Sequence, residues 1–88
     1  MFNDCSIKEL REVLELYKSS EAESPVVLSA GEWTIAEGGY DKWWEIYYGQ
    51  NCRPIAECVA RKVSVYGFSA TDNELIKNVI LSVLDYLN

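Results

Sequence analysis

Residues 43–48 read Trp43-Trp44-Glu45-Ile46-Tyr47-Tyr48, four aromatic rings in six positions. No other segment constrains the fold as much. In a β-strand, successive side chains point to opposite faces of the sheet. Trp44, Ile46 and Tyr48 therefore share one face, and Trp43, Glu45 and Tyr47 the other. A chain of 88 residues buries only about 60–65% of its unfolded surface and builds one core, so one face alone can be fully covered. The carboxylate of Glu45 assigns its own face to solvent, because an unpaired charge is costly to bury. Two large aromatics flanking an acid near solvent suggest a recognition surface.

The flanking segments supply the rest of the fold. Ser6-Ile7-Lys8-Glu9 has the pattern of a capping box. Ile7, Leu10, Val13, Leu14 and Tyr17 then recur at helical spacing, which predicts a first helix over about 6–19. Ser19 to Pro25 reads as a polar linker, and the Val-rich stretch from Pro25 to Ala30 can extend into a short strand. Glu32 to Glu37 alternates, with Trp33 and Ile35 on one face. Gly38-Gly39 marks a turn, Lys42 to Tyr48 forms the aromatic strand, and Gly49-Gln50-Asn51 makes a second turn. Pro54 to Ala60 is a further strand, its proline at the start, where a ladder tolerates it. Val63 and Val65 alternate with Ser64 and Tyr66, which allows one more strand within Arg61 to Ser69.

Thr71-Asp72-Asn73-Glu74 repeats the capping-box pattern. Leu75, Ile76, Val79, Ile80, Val83, Leu84 and Leu87 then keep a 3.6-residue period. Together these elements predict one α+β domain over residues 1–88. It is a three- to four-stranded antiparallel meander with an N-terminal and a C-terminal helix packed on one face, in the order αβββα. Glu57, like Glu45, should point to solvent, which places Ile55 and Val59 outward. Ala56, Cys58 and Ala60 then face the helices, where small side chains allow close packing. A one-residue slip would bury both glutamates, so the register is specified.

Composition narrows the function. The net charge of −6 disfavours direct binding of a nucleic-acid backbone and favours attraction to basic surfaces. Met1-Phe2-Asn3-Asp4-Cys5 lacks the basic and apolar regions of a secretory leader. Val79 to Leu84 is interrupted by Ser82 and is too short to span a bilayer. A soluble cytoplasmic protein without membrane association is expected. Cys5, Cys52 and Cys58 lack the paired spacing of a zinc site, and the chain has no histidine to complete one. No metal or cofactor is expected, and the thiols should be reduced.

Without histidine, acid–base chemistry would fall to carboxylates, Lys, Tyr or Cys. Cys52 belongs to a turn and Cys58 to the sheet interior, so the expectation is incidental thiols rather than a nucleophile activated by Arg53 or Arg61. Glu45 and Glu57 can sit across neighbouring strands, as glycosidase carboxylates do, but so small a chain offers little cleft. No enzymatic activity is expected. Aromatics on an open sheet suit single-strand binding, yet Glu45 and Glu57 would repel phosphate. Glu9, Glu12 and Glu15 form an acidic cluster on the first helix, near Glu21 and Glu23. It reads either as a solvated helix face or as a DNA mimic.

Protein binding fits best. Trp43, Glu45, Tyr47, Arg53, Ile55 and Glu57 make a candidate patch rich in the residue types that dominate interface energetics. Two other outcomes stay open: the N-terminal segment or Pro25 to Ala30 folds over the patch, or a second copy covers it in a homodimer.

A Trp-containing strand, a turn, Arg53-Pro54-Ile55-Ala56-Glu57, a short loop and Asn73-Glu74-Leu75-Ile76 opening a last helix follow one another from Glu32 to Leu87. This order resembles the Ead-like small accessory proteins of tailed phages and prophages. The chain departs from them in its Val- and Ile-rich last helix and its additional N-terminal helix. The family pattern is a fold signature with no known active site. What the resemblance implies is a phage-encoded protein that acts in the host bacterial cytoplasm by binding a host protein. A subunit of a CRISPR effector or of another defence complex is the expected kind of partner, by analogy with anti-CRISPR and other anti-defence inhibitors. The alternatives are a nucleic-acid-associated or regulatory phage accessory protein, and the acidic DNA mimic.

Overall fold

Alternation and helical periodicity both find their partners in the computed structural model, which describes residues 4–21, 23, 25–38 and 43–85, with residues 4 and 5 by their backbone alone. The chain runs α1 (Asp4–Ser19), β1 (Val27–Ala30), β2 (Trp33–Glu37), β3 (Trp44–Tyr48), β4 (Ala56–Val59), β5 (Lys62–Val65) and α2 (Ala70–Leu84). The strands pair antiparallel in sequence order, β1-β2-β3-β4-β5. The meander thus has five strands rather than three or four. Both stretches that were only weakly strand-like, within Pro25 to Ala30 and Arg61 to Ser69, join the sheet as its two edges. Gly39, Lys42, Leu87 and the Cys5 side chain lie outside the described residues.

Parity decides the core. Trp33, Ile35, Trp44, Ile46, Ala56 and Cys58 turn to one face and are fully buried against Leu10, Val13 and Leu14 of α1 and Ile76 and Ile80 of α2. Each large apolar side chain contributes about 1.5–3 kcal/mol on full burial. α1 packs on β1, β2 and α2, while α2 packs on β5 and α1. Tyr48 sits edge-on to Trp33 and to Phe68, with ring centroids 4.6 and 5.9 Å apart. Such edge-to-face pairs are favoured by the ring quadrupoles. They tie the end of β3 to the segment leading into α2.

Three expectations about facing need correction. Ile55 is only 4% exposed and belongs to the core. Counting outward from Glu57 fails because Ile55 precedes β4 and its backbone is not strand. Its amide still donates to Ile46 O and its carbonyl accepts from Tyr66 N. Ala60 does not face the helices, because it is exposed in the β4–β5 turn. Leu75, placed on the apolar stripe of the last helix, is exposed at its edge.

The helix starts also shift. α1 begins at Asp4, two residues before the expected cap, so Ser6 lies inside its first turn, where its carbonyl accepts from Trp33 Nε1 at 2.8 Å. α2 is capped by Ser69, not Thr71: Ser69 Oγ accepts from the Asp72 amide at 3.2 Å. This start lets Asn73 Nδ2 donate back to Phe68 O. Asp85 ends α2 in a left-handed conformation, its amide donating to Leu81 O.

Val59 pairs with Lys62, leaving Ala60 and Arg61 as a two-residue hairpin loop with φ of 53° and 69°. Loops of that geometry favour Asn-Gly, because a Cβ at positive φ is crowded. Replacing Ala60 by Asn together with Arg61 by Gly should raise stability by about 1–2 kcal/mol, measured by urea unfolding. An unchanged midpoint would show that the turn holds no strain. In the same assay Ser69→Ala should cost about 1 kcal/mol, whereas Thr71→Ala should cost little.

Candidate functional site

The face opposite the helices is built by the other parity. Register sets Val27, Ala36, Glu45, Glu57 and Ser64 in one row across all five strands. A second row carries Ser29, Thr34 and Tyr47, the first two joined by a hydroxyl–hydroxyl bond of 2.9 Å. Trp43, Glu45, Tyr47 and Glu57 are half-buried here, and Tyr66 is exposed. No helix packs on this side among the described residues. Pro25 to Ala30 does not fold over it, since Val27–Ala30 is an edge strand of the same sheet.

Trp43 is half-buried and lies against Gly38. The Gly38 amide donates to Trp43 O at 2.8 Å, so the two face each other at the end of the β2–β3 ladder. A methyl group at Gly38 would come within 2.6 Å of Trp43 Cδ2. The indole therefore lies on the bare glycine, an aromatic covering a position just past the end of β2 that has no side chain of its own.

At the centre stand two acids. Glu45 and Glu57 are direct register partners across β3 and β4, an arrangement in which like charges disfavour pairing. Each receives a phenolic hydrogen bond. Tyr47 OH donates to Glu45 Oε1 at 3.2 Å, and Tyr66 OH donates to Glu57 Oε1. The phenols respond in turn. Burial, then the charge and hydrogen bond of Glu45, raise the Tyr47 pKa. The bond to Glu57, followed by burial and the charges of Glu57 and Glu45, pushes Tyr66 up to about 12. Both tyrosines thus remain donors throughout the neutral range.

The other predicted residues separate. Arg53 is exposed in the β3–β4 loop, where it lines a shallow concavity with Cys52, Pro54, Ile55, Tyr66 and Gly67. Tyr66 is thus both the wall of that concavity and the cap on Glu57. Ile55 contributes only from beneath. On α1, Glu12 and Glu15 are exposed and share a surface with Lys8, Arg11, Leu16 and Ser19. Glu9 leaves the cluster: it is half-buried, and its carboxylate occupies the space that a Cβ on Gly31 would need. Gly31 itself has a φ of 59°, a conformation that disfavours any residue with a Cβ. The helix surface consequently mixes both signs instead of presenting a row of acids.

Cys52 is exposed and Cys58 is buried inside the sheet. Among the described residues no three His, Cys, Asp or Glu side chains gather as metal ligands, and no helix is long and apolar enough to cross a membrane. Tyr66 is the one member of the site that the sequence reading passed over. Its place above Glu57 follows from the β4–β5 register, in which Glu57 lies opposite Ser64, and becomes visible only once that hairpin is known.

The Tyr66–Glu57 bond has a testable pH signature. A phenol that ionises near 12 in the folded chain, against about 10 when unfolded, keeps its proton longer in the native state. Its contribution to stability is complete below about pH 10 and is lost as pH rises through the folded value. Tyr66 is 41% exposed, so solvent screening leaves this contribution small. Tyr66→Phe should therefore lower stability modestly at neutral pH and lose less between about pH 10 and 12 than the parent chain, followed by urea midpoints. Parallel alkaline curves for the two proteins would rule out the linkage. Comparison of the chain with protein-family models, curated proteins and solved structures finds no match, so the reading of this site rests on its own geometry.

Proposed function

We propose that this chain is a non-enzymatic binding protein that docks a protein partner on the outer face of its sheet and inhibits it by occupying the contact surface. One observation carries the reading: Trp43, Tyr47 and Tyr66 stand on a face that no helix covers among the described residues. Trp and Tyr bury large areas at low entropic cost and are enriched at interface hot spots. An aromatic face of this kind on a small domain calls for a partner. Glu45 and Glu57 at its centre favour a partner with positive charge and disfavour phosphate. Tyr66 joins Trp43, Glu45, Tyr47, Arg53 and Glu57 in the contact set, and Ile55 supports it from the core.

The resemblance at Arg53 to Glu57 and Asn73 to Ile76 adds the setting: a phage or prophage protein acting in the cytoplasm of its bacterial host. A component of a CRISPR effector or another defence complex is the proposed target, by analogy. The mixed charge around Glu12 and Glu15, and the departure of Glu9, remove support from an acidic mimic of nucleic acid built on α1.

The test is affinity capture from host lysate with the parent chain and with Trp43→Ala and Tyr47→Ala variants whose circular dichroism is unchanged. The expected result is a partner retained by the parent and lost, by tenfold or more in affinity (about 1.4 kcal/mol or more), with either variant. Retention by both variants, with loss on charge reversal of Glu12 and Glu15, would place the contact on α1 and overturn the proposal.

A further inference from the structure

The chemistry of the docking face is more specific than its aromatic content. Glu45 and Glu57 oppose each other directly, and Tyr47 and Tyr66 each occupy only the Oε1 atom of one carboxylate. Oε2 of both glutamates is left without a protein donor, and no cation of the chain pairs with either acid, among the described residues. The cations near this face stand at its ends. Lys62 lies opposite Val59, Arg61 is in the β4–β5 turn, and Arg53 is in the β3–β4 loop, all three exposed. The face therefore has an acidic centre, aromatic side chains about it, and a basic rim.

We infer that the contact seated at this centre is a single arginine side chain of the protein partner. The inference rests on the docking reading above and adds the chemistry of its anchor. A guanidinium is planar and carries five N–H donors in a rigid fork, so one group can donate to both carboxylates while its face lies on Trp43 or a tyrosine ring. A lysine ammonium is a compact, strongly hydrated point charge that offers neither the fork nor the stacking plane. The repulsion between Glu45 and Glu57 burdens the unbound sheet and is neutralised in the complex, so the acids favour the bound state over the unbound one. Lys62, Arg61 and Arg53 repel further positive charge at the rim, which selects an isolated arginine in a neutral or acidic segment over a polybasic stretch.

The experiment is an NMR titration of the ¹⁵N-labelled full chain with a short capped alanine peptide bearing one central arginine, against the same peptide with lysine or citrulline. The arginine peptide should shift the Glu45 and Glu57 amides and the Trp43 indole N–H, and should bind roughly fivefold or more tightly than the lysine peptide. Citrulline, which keeps the shape but not the charge, should produce no shift. A Glu45→Gln, Glu57→Gln double variant, relieved of the like-charge pair, should stay folded and lose the response. Equal binding of arginine and lysine, shifts confined to other surfaces, or an unchanged response in the double variant would overturn the inference. The two readings fail separately. If the double variant still captures the cellular partner while Trp43→Ala and Tyr47→Ala do not, the docking face stands and the arginine anchor falls. If all of these variants capture it equally, the docking face itself is wrong.

Discussion

Trp44 lies directly across from Cys58, and Ile46 directly across from Ala56. That large-to-small pairing between β3 and β4 is the constraint on which the rest of the molecule depends. Bulk on one strand is met by room on the next, so the inner face stays level enough for two helices to lie on it at interior packing density. The side chains between these pairs have no choice of face. Glu45 and Glu57 are set opposite each other because their neighbours fit so well, and the electrostatic tension on the outer surface is a by-product of order within. Sliding β4 by one residue would relieve the acids, but it would drive Glu57 toward the helices and expose Cys58.

The two helices are held differently. α2 meets the core with four buried aliphatic residues, Ile76, Val79, Ile80 and Val83. α1 adds two polar ties, one near each end: Ser6 O to the Trp33 indole, and Tyr17 OH to Glu37 Oε2 at 3.0 Å. Glu37 sits at the end of β2 on the helix side of the sheet, so its carboxylate is met by a hydroxyl from the helix that covers it. These directional contacts fix how α1 lies along the strands, which apolar contact alone specifies poorly.

Much of this could be read from residues alone, and the failures have identifiable physical causes. Period-two alternation separated Trp44, Ile46 and Tyr48 from Trp43, Glu45 and Tyr47 because both faces of β3 carry bulky residues around one charge. The same reasoning misplaced Ile55, since alternation holds only while the backbone is extended, and the chain bends after Pro54. The last hairpin was faint because Ala60-Arg61 carries neither Asn nor Gly, although its backbone adopts the positive φ values those residues favour. The capping-box pattern pointed to Thr71, but the cap is Ser69, two residues earlier, immediately after the Phe68 that packs on Tyr48. Tyr66 was illegible for a related reason: its partner Glu57 is nine residues away, and their meeting depends on the unmarked turn between them.

The placement of Trp43 on Gly38 has an optical consequence. Of the three tryptophans in the chain, Trp33 and Trp44 are completely shielded from water, whereas Trp43 alone is partly open to it on the outer face. Their emission divides accordingly. Two indoles give a constant, blue-shifted background from the interior, and the third sits where any occupant of the sheet would displace water from its ring. The molecule thus carries its own fluorophore on the face proposed for docking, with no label required to see that face become covered.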